Sequence, residues 1–225
     1  LLSAKTQIGQ PGFGAELSAI KVVFPFMKYQ FLFNVLNFFS RNLDTLLITK
    51  YFGVAVTGLY DKSYQIMRYP LQLFAFAITP ALQPVLTQYK HEPQVVETEF
   101  YRITLKLAAL GLFVSLLLYW SSVDILFVMF GEQWFYAAPI LRILSVSIPL
   151  QMVLSATGGI FQAMGNTKHL FLCGLFSSVV NVTAILLGIN SGEINTLCLY
   201  LIAAFVINFF QCFYVLHRYI FCSKP

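Results

Sequence analysis

The chain has 225 residues, of which 58% are hydrophobic and only 10% charged, with a mean hydropathy of +0.75 and a formal net charge of +5. A soluble domain carries roughly 25% charged residues, so this composition excludes a water-dissolved globule and points to an integral membrane protein. The basic residues are spread over separate segments, which argues against nucleic acid as a partner.

Residues 1–24 begin with Leu1 and lack the apolar core and small-residue cleavage site of a signal peptide. The expectation is a cytoplasmic lead-in to the C-terminal portion of a longer protein. Leu17, Ile20 and Phe24 share a helical face beside Lys21, which predicts an interfacial amphipathic turn.

A six-helix transmembrane lobe is expected over 25–221, with spans near 26–52, 60–88, 104–130, 138–164, 168–189 and 194–218 and a cytoplasmic tail at 222–225. The apolar runs are too long and too even for a β-barrel, whose strands alternate over ~10 residues. The fold class is therefore all-α.

The first span carries the stretch "FFSRNLDTLLI" at 38–48, with an arginine and an aspartate in an oily setting. Gln30, Asn34, Asn37, Arg41 and Asp44 fall within an arc of about 80° on an ideal helix. Gly53 and Gly58 punctuate the link to the second span. There Asp61, Gln65, Arg68, Gln72, Thr79 and Gln83 keep to an arc of about 60°, along a helix that Pro70, Pro80 and Pro84 would bend. An Arg or Asp at mid-bilayer costs about 2.5–3.5 kcal/mol, so these stripes must face a bundle interior or a wet cavity. Arg41 and Asp44, at i and i+3, are placed to pair. The plain alternative is a salt bridge that pins helices together and does nothing else.

The loop at 89–102, "YKHEPQVVETEFYR", reads as a solvated cytoplasmic face. After the third span, Trp134 and Tyr136 in "FGEQWFYAAP" suit an interfacial aromatic belt. The fourth span places Ser147, Gln151, Ser155, Gly158 and Gln162 on one side. The last two spans are plainer, with Asn181 and Asn208 as candidate helix-to-helix amides. Lys5, Lys21, Lys28, Lys90, Arg102, Lys106, Lys168, Arg218 and Lys224 crowd one side, which marks that side, with both ends of the chain, as cytoplasmic.

Cys173, Cys198, Cys212 and Cys222 show no metal or redox spacing and read as small buried hydrophobes. His91, His169 and His217 are too dispersed for a metal site. No phosphate loop, nucleophile elbow or catalytic constellation is visible, so a transporter is expected rather than an enzyme.

Three segments in this order and spacing, "RNLDTLLITKYFG", "GLYDKSYQIMRYPLQ" and "FGEQWFYAAPILRILSVSIPLQMVLSATGGIFQAMGNT", resemble the polysaccharide-transport branch of the multidrug/oligosaccharidyl-lipid/polysaccharide exporter (MOP) superfamily. The resemblance is strongest over 13–164. It implies the C-terminal lobe of a twelve-to-fourteen-helix transporter in the bacterial inner membrane. Asn42, Leu43, Asp44, Gly53, Gly58, Tyr60, Asp61, Tyr64, Gln65, Pro70, Gly131, Trp134, Gln162 and Gly165 match the family pattern. Thr49 and the stretch "TPALQPVL" at 79–86 depart from it.

The implied cargo is an oligosaccharide on a polyprenyl diphosphate, flipped by alternating access for O-antigen, capsule or exopolysaccharide export. The implied drive is an H+ or Na+ gradient, with no other cofactor. Implied partners are the lipid-linked oligosaccharide, membrane lipids, an N-terminal transmembrane half and polysaccharide polymerase machinery. On that resemblance Arg41, then Arg68, are the candidate diphosphate partners. Gln30, Asn34, Asn37, Gln65 and Gln72 would bond sugar hydroxyls. Asp44 and Asp61 would either take up the coupling cation or orient the arginines. The rival readings are a membrane scaffold of a glycan-assembly complex and a small-solute or drug exporter of the same superfamily.

Overall fold

A computed structural model describes residues 17–88 and 93–221; the side chains of 17–23, 25–26, 41, 75–88 and 93 lie outside that description. The 1–16 stretch, the loop at 89–92, the tail at 222–225 and the side chains of Leu17, Ile20, Thr79 and Gln83 therefore lie outside the described residues.

The described residues are helical throughout, with no strand among them. α1 runs Leu17–Gln88, α2 Pro93–Trp120, α3 Ser122–Phe130, α4 Ala138–Ser145, α5 Ile148–Ala163, α6 Thr167–Asn190 and α7 Ile194–Leu216. A 3-10 helix, Glu132–Ala137, joins α3 to α4, and a π-helical turn, His217–Phe221, follows α7.

α1 is two helices, because Gly53 breaks it with φ 82 and ψ 168. Only glycine adopts that backbone at low cost, and a Cβ there would meet nothing within 4 Å. The glycine is thus demanded by the backbone and not by crowding. Thr45 and Asp61 hydrogen-bond each other across this break. Along a straight helix they would lie about 24 Å apart. The first arm (17–52) and second arm (54–88) therefore form an antiparallel hairpin.

Where the sequence reads 104–130 as one span, the helix breaks at Ser121, between α2 and α3. Where it reads 138–164 as one span, α4 and α5 meet at a 56° bend. Pro149, two residues into α5, starts that helix where a missing N–H costs nothing.

Among the described residues three helices are long and apolar enough to cross a membrane: Gln94–Trp120, Thr167–Asn190 and Ile194–Phe221. The bent pair Glu132–Ser145 and Ile148–Ala163 makes a fourth if it counts as one span. The six expected spans are not reached on that criterion. That count covers the described residues only, and much of both α1 arms, 17–23 and 75–88 among them, lies outside it.

The core lies where α4 and α5 pack against the α1 hairpin, α2 and α7, and includes Ile48, Tyr60, Met67, Phe100, Leu141, Met152, Phe161 and Leu201. Outside it, Val54, Leu73, Leu105 and Val128 are 69–80% exposed. Leaving such side chains in water forgoes about 1.5–3 kcal/mol each, and an acyl-chain environment removes that penalty.

Candidate functional site

The sequence places Tyr60, Tyr64 and Arg68 four residues apart, so they stand one above another on the second arm. Tyr60 and Tyr64 stack with centroids 5.6 Å apart and planes 24° apart. The Arg68 guanidinium lies 4.9 Å from the Tyr64 centroid. At the other end of this column the Tyr60 hydroxyl donates to Asp44 Oδ2 at 3.3 Å, across the hairpin. Asp44 Oδ1 accepts the Thr45 backbone N–H at 2.7 Å, and Thr45 Oγ1 donates to Asp61 Oδ1 at 3.1 Å. The result is a carboxylate, two phenol rings and a guanidinium in line, with a second carboxylate beside the first. Asp44 lies within the electrostatic reach of both Asp61 and Arg68.

Asp44 is only 8% exposed, and Tyr60 is buried beside it. A buried carboxylate needs hydrogen-bond donors, and here it receives them from a phenol and a backbone amide. Asp61 and Arg68 are half-buried. Thr49, where the sequence departs from the family pattern, donates to the Thr45 carbonyl at 2.7 Å and so closes its own hydrogen bond within the arm.

The other residues singled out from the sequence fall in different settings. Arg41 is on the first arm, and its side chain lies outside those described. Asn34 and Asn37 are exposed, and Gln30 Nε2 reaches Asn34 Oδ1 at 3.4 Å. Gln30 Oε1 is buried and accepts nothing among the described residues. Gln65 Nε2 donates to the Tyr69 hydroxyl at 2.6 Å, while Gln72 is exposed. So the predicted stripe divides: its amides lie toward the far ends of the arms, and its acids meet near the hairpin turn.

Sequence reading missed Tyr60, Tyr64 and Thr45 as partners in this cluster. The signal was present, because Gly53 lies midway between Thr45 and Asp61 and a reversal there sets those residues opposite each other. The outer rim of the second arm is held as well. Lys62 Nζ lies 4.7 Å from the Phe130 ring and 5.7 Å from that of Trp134, and Ser63 Oγ donates to the Ala137 carbonyl at 3.0 Å. On α5, Gln151 Nε2 donates to Ser147 Oγ, and both reach the Met67 sulfur at 3.6 Å. Among the described residues no three of His, Cys, Asp and Glu come together as a metal-ligand group.

Two solved structures share this fold. The fold superposes on an outward-facing multidrug resistance MATE family transporter of the MOP superfamily with a TM-score of 0.73, at 10% identity, over 86% of this chain and 44% of that one. It also matches a MOP superfamily transporter from Pyrococcus furiosus with a TM-score of 0.63, at 12% identity, over 87% of this chain and 42% of that one. At these identities the likeness is one of fold.

Sequence comparison narrows the class. Residues 5–139 match the family described as polysaccharide biosynthesis protein, and the chain belongs to that family. It is 26% identical over 201 residues to the teichuronic acid biosynthesis protein TuaB of Bacillus subtilis, covering 88% of this chain and 41% of the relative. It is 23% identical over 182 residues to the lipopolysaccharide biosynthesis protein WzxC of Escherichia coli, covering 81% and 37%. It is 23% identical over 167 residues to the succinoglycan biosynthesis transport protein ExoT of Rhizobium meliloti, covering 71% and 32%. The chain thus spans about two fifths or less of the length of these curated relatives.

Proposed function

We propose that this chain forms one lobe of a transporter that moves an oligosaccharide on a polyprenyl diphosphate from the inner to the outer leaflet of the bacterial cytoplasmic membrane. The observation that carries the reading is the Asp44–Tyr60–Tyr64–Arg68 column, ionisable chemistry held inside an apolar helical lobe of this family's fold. In this reading both arms of α1 cross the membrane, giving six spans with the four other apolar segments. A preceding lobe completes the cavity, and the two lobes rock to give alternating access.

The hard part of the cargo is its diphosphate. A guanidinium stacked on a ring keeps its in-plane N–H donors for a phosphate, which is the part assigned to Arg68 beside Arg41. The exposed amides Asn34, Asn37 and Gln72 offer donors and acceptors to sugar hydroxyls. Asp44 and Asp61 are the groups assigned to the coupling H+ or Na+. Polysaccharide polymerase machinery is the partner that would receive the flipped unit.

The test is export complementation by the full-length protein carrying Arg41→Ala, Arg68→Ala or Arg68→Lys, at matched membrane abundance. Loss of export in both alanine variants, with partial rescue by lysine, is expected. Normal export by both alanine variants removes the arginines from the mechanism.

The burial of Asp44 supports a second reading, in which the cluster only clasps the hairpin and the protein is a scaffold. Cysteine scanning at Asn34, Asn37 and Gln72 separates the two. Labelling by a water-soluble thiol reagent belongs to a cavity, and protection belongs to a sealed interface.

A further inference from the structure

α6 and α7 are antiparallel along their whole length. A Cβ on Gly188 would lie 2.6 Å from Leu197 Cα near the turn, Asn208 bonds Asn181 midway, and Gln211 reaches Cys173 further along. At the far end the His169 and Tyr219 rings stack with centroids 4.1 Å apart, and His169 Nδ1 hydrogen-bonds Asn166 Oδ1. That stack joins the start of α6 to the turn after α7. Lys168 and Arg218, the residues that precede His169 and Tyr219, therefore lie at the same end of the helix pair. Both are exposed, as is His217.

Two features fix what such a patch faces. The helices that meet here are among the three that are long and apolar enough to cross a membrane, so their shared end lies at headgroup level. Exposed Tyr214 and Tyr219 sit at the same end, as interfacial tyrosines do. The acids at the start of the neighbouring α2 are Glu97 and Glu99, and Glu99 is engaged by Arg102 at 3.1 Å. The Arg218 guanidinium lies 6.0 Å from the Tyr219 centroid and hydrogen-bonds the Tyr219 and Tyr214 hydroxyls, and its fork of N–H groups has further donors to offer an oxyanion.

We propose that Lys168 and Arg218 together bind the phosphate of an anionic phospholipid headgroup. The stacked His169–Tyr219 pair holds the two charges in place. The site anchors the α6–α7 hairpin in the leaflet on that side. The inference rests on the membrane-spanning reading of α6 and α7, and on neither the cargo nor the coupling ion, so export assays and lipid binding can fail independently.

The experiment is native mass spectrometry of the intact, detergent-purified protein titrated with phosphatidylglycerol, phosphatidylethanolamine or a polyprenyl diphosphate. Wild type is expected to retain phosphatidylglycerol over phosphatidylethanolamine. Lys168→Gln and Arg218→Gln are each expected to weaken phosphatidylglycerol binding by about fivefold, the effect of one surface basic charge, and the pair by roughly 25-fold. Arg218→Lys should bind nearly as wild type, and Lys50→Gln, at the end of the first arm, should not change binding. Retention of phosphatidylglycerol by the double variant overturns the proposal. So does selective loss of the polyprenyl diphosphate in that variant, which would move the site onto the cargo's path.

Discussion

The α1 hairpin and the α6–α7 hairpin are both antiparallel helix pairs turned at a positive-φ glycine, Gly53 (φ 82) in one and Gly192 (φ 75) in the other. They are joined by different chemistry. The α1 arms meet through carboxylates and hydroxyls. α6 and α7 meet through close backbone approach at Gly188 and a single amide pair, Asn181–Asn208. Helices pressed together by small residues need no charge, and lipid-immersed pairs are commonly held that way. A lobe that places ionisable side chains between the arms of one hairpin, and joins the described length of the other by close packing and amides, has set the first apart. The chemistry of the protein is assigned here to the α1 hairpin and its membrane anchorage to the α6–α7 hairpin.

The comparison breaks most visibly at Gly188. A Cβ there would lie 2.6 Å from Leu197 Cα, so Gly188→Val must push the helices apart. Overpacking of that kind costs about 3 kcal/mol. The expected outcome is sharply reduced membrane abundance and a lowered melting temperature of the purified protein.

Asp44→Ala comes next. It strips the Tyr60 hydroxyl and the Thr45 amide of a charged acceptor, a loss of about 1.5–3 kcal/mol, read by thermal unfolding in detergent. Asp44→Asn sharpens the contrast, because its carbonyl oxygen still accepts the Thr45 amide and its NH2 can donate to the Tyr60 oxygen, while the charge is gone. Near-normal abundance with export reduced at least tenfold is expected; normal export would make the cluster a clasp and nothing more.

Gly53→Ala should cost roughly 1–3 kcal/mol, since alanine is strained at that φ and ψ whatever the open space around it. Its signature is a lower melting temperature with the hairpin contacts retained, checked by disulfide trapping between cysteines at Thr45 and Asp61. The smallest effect belongs to Asn208→Ala. Its Oδ1 is buried and bonds nothing among the described residues, so only the Asn181 contact is lost. About 0.6 kcal/mol is expected, as for other interhelical hydrogen bonds in membranes. A loss as large as that of Asp44→Ala would erase the distinction between the two hairpins.

Much of the lobe was legible along the chain. The apolar runs of α6 and α7, bounded by "GNTKH" and "GINSGE", announce helices near 168–189 and 194–218, where the structure has 167–190 and 194–216, because length and composition are local properties. The ordered blocks around Asn42–Asp44, Gly58–Gln65 and Gly131–Trp134 led to the family to which the chain belongs. The bend at 146–147 and the break at Ser121 were not legible, since both lie inside continuous apolar runs where hydropathy carries no signal of direction.

The site divides in the same way. Chemistry and face are matters of residue type and helical period, so the sequence alone determined that Asp44, Asp61 and Arg68 stand among apolar neighbours and need partners. It also set Tyr60, Tyr64 and Arg68 one turn apart. Which groups meet was decided only in three dimensions. The reversal at Gly53 brings Tyr60 and Asp61 against Asp44 and Thr45, and packing in the lobe buries Asp44 and Tyr60. A helical period reports how residues are placed around one rod; which second rod lies against it depends on a turn and on burial that no single segment contains.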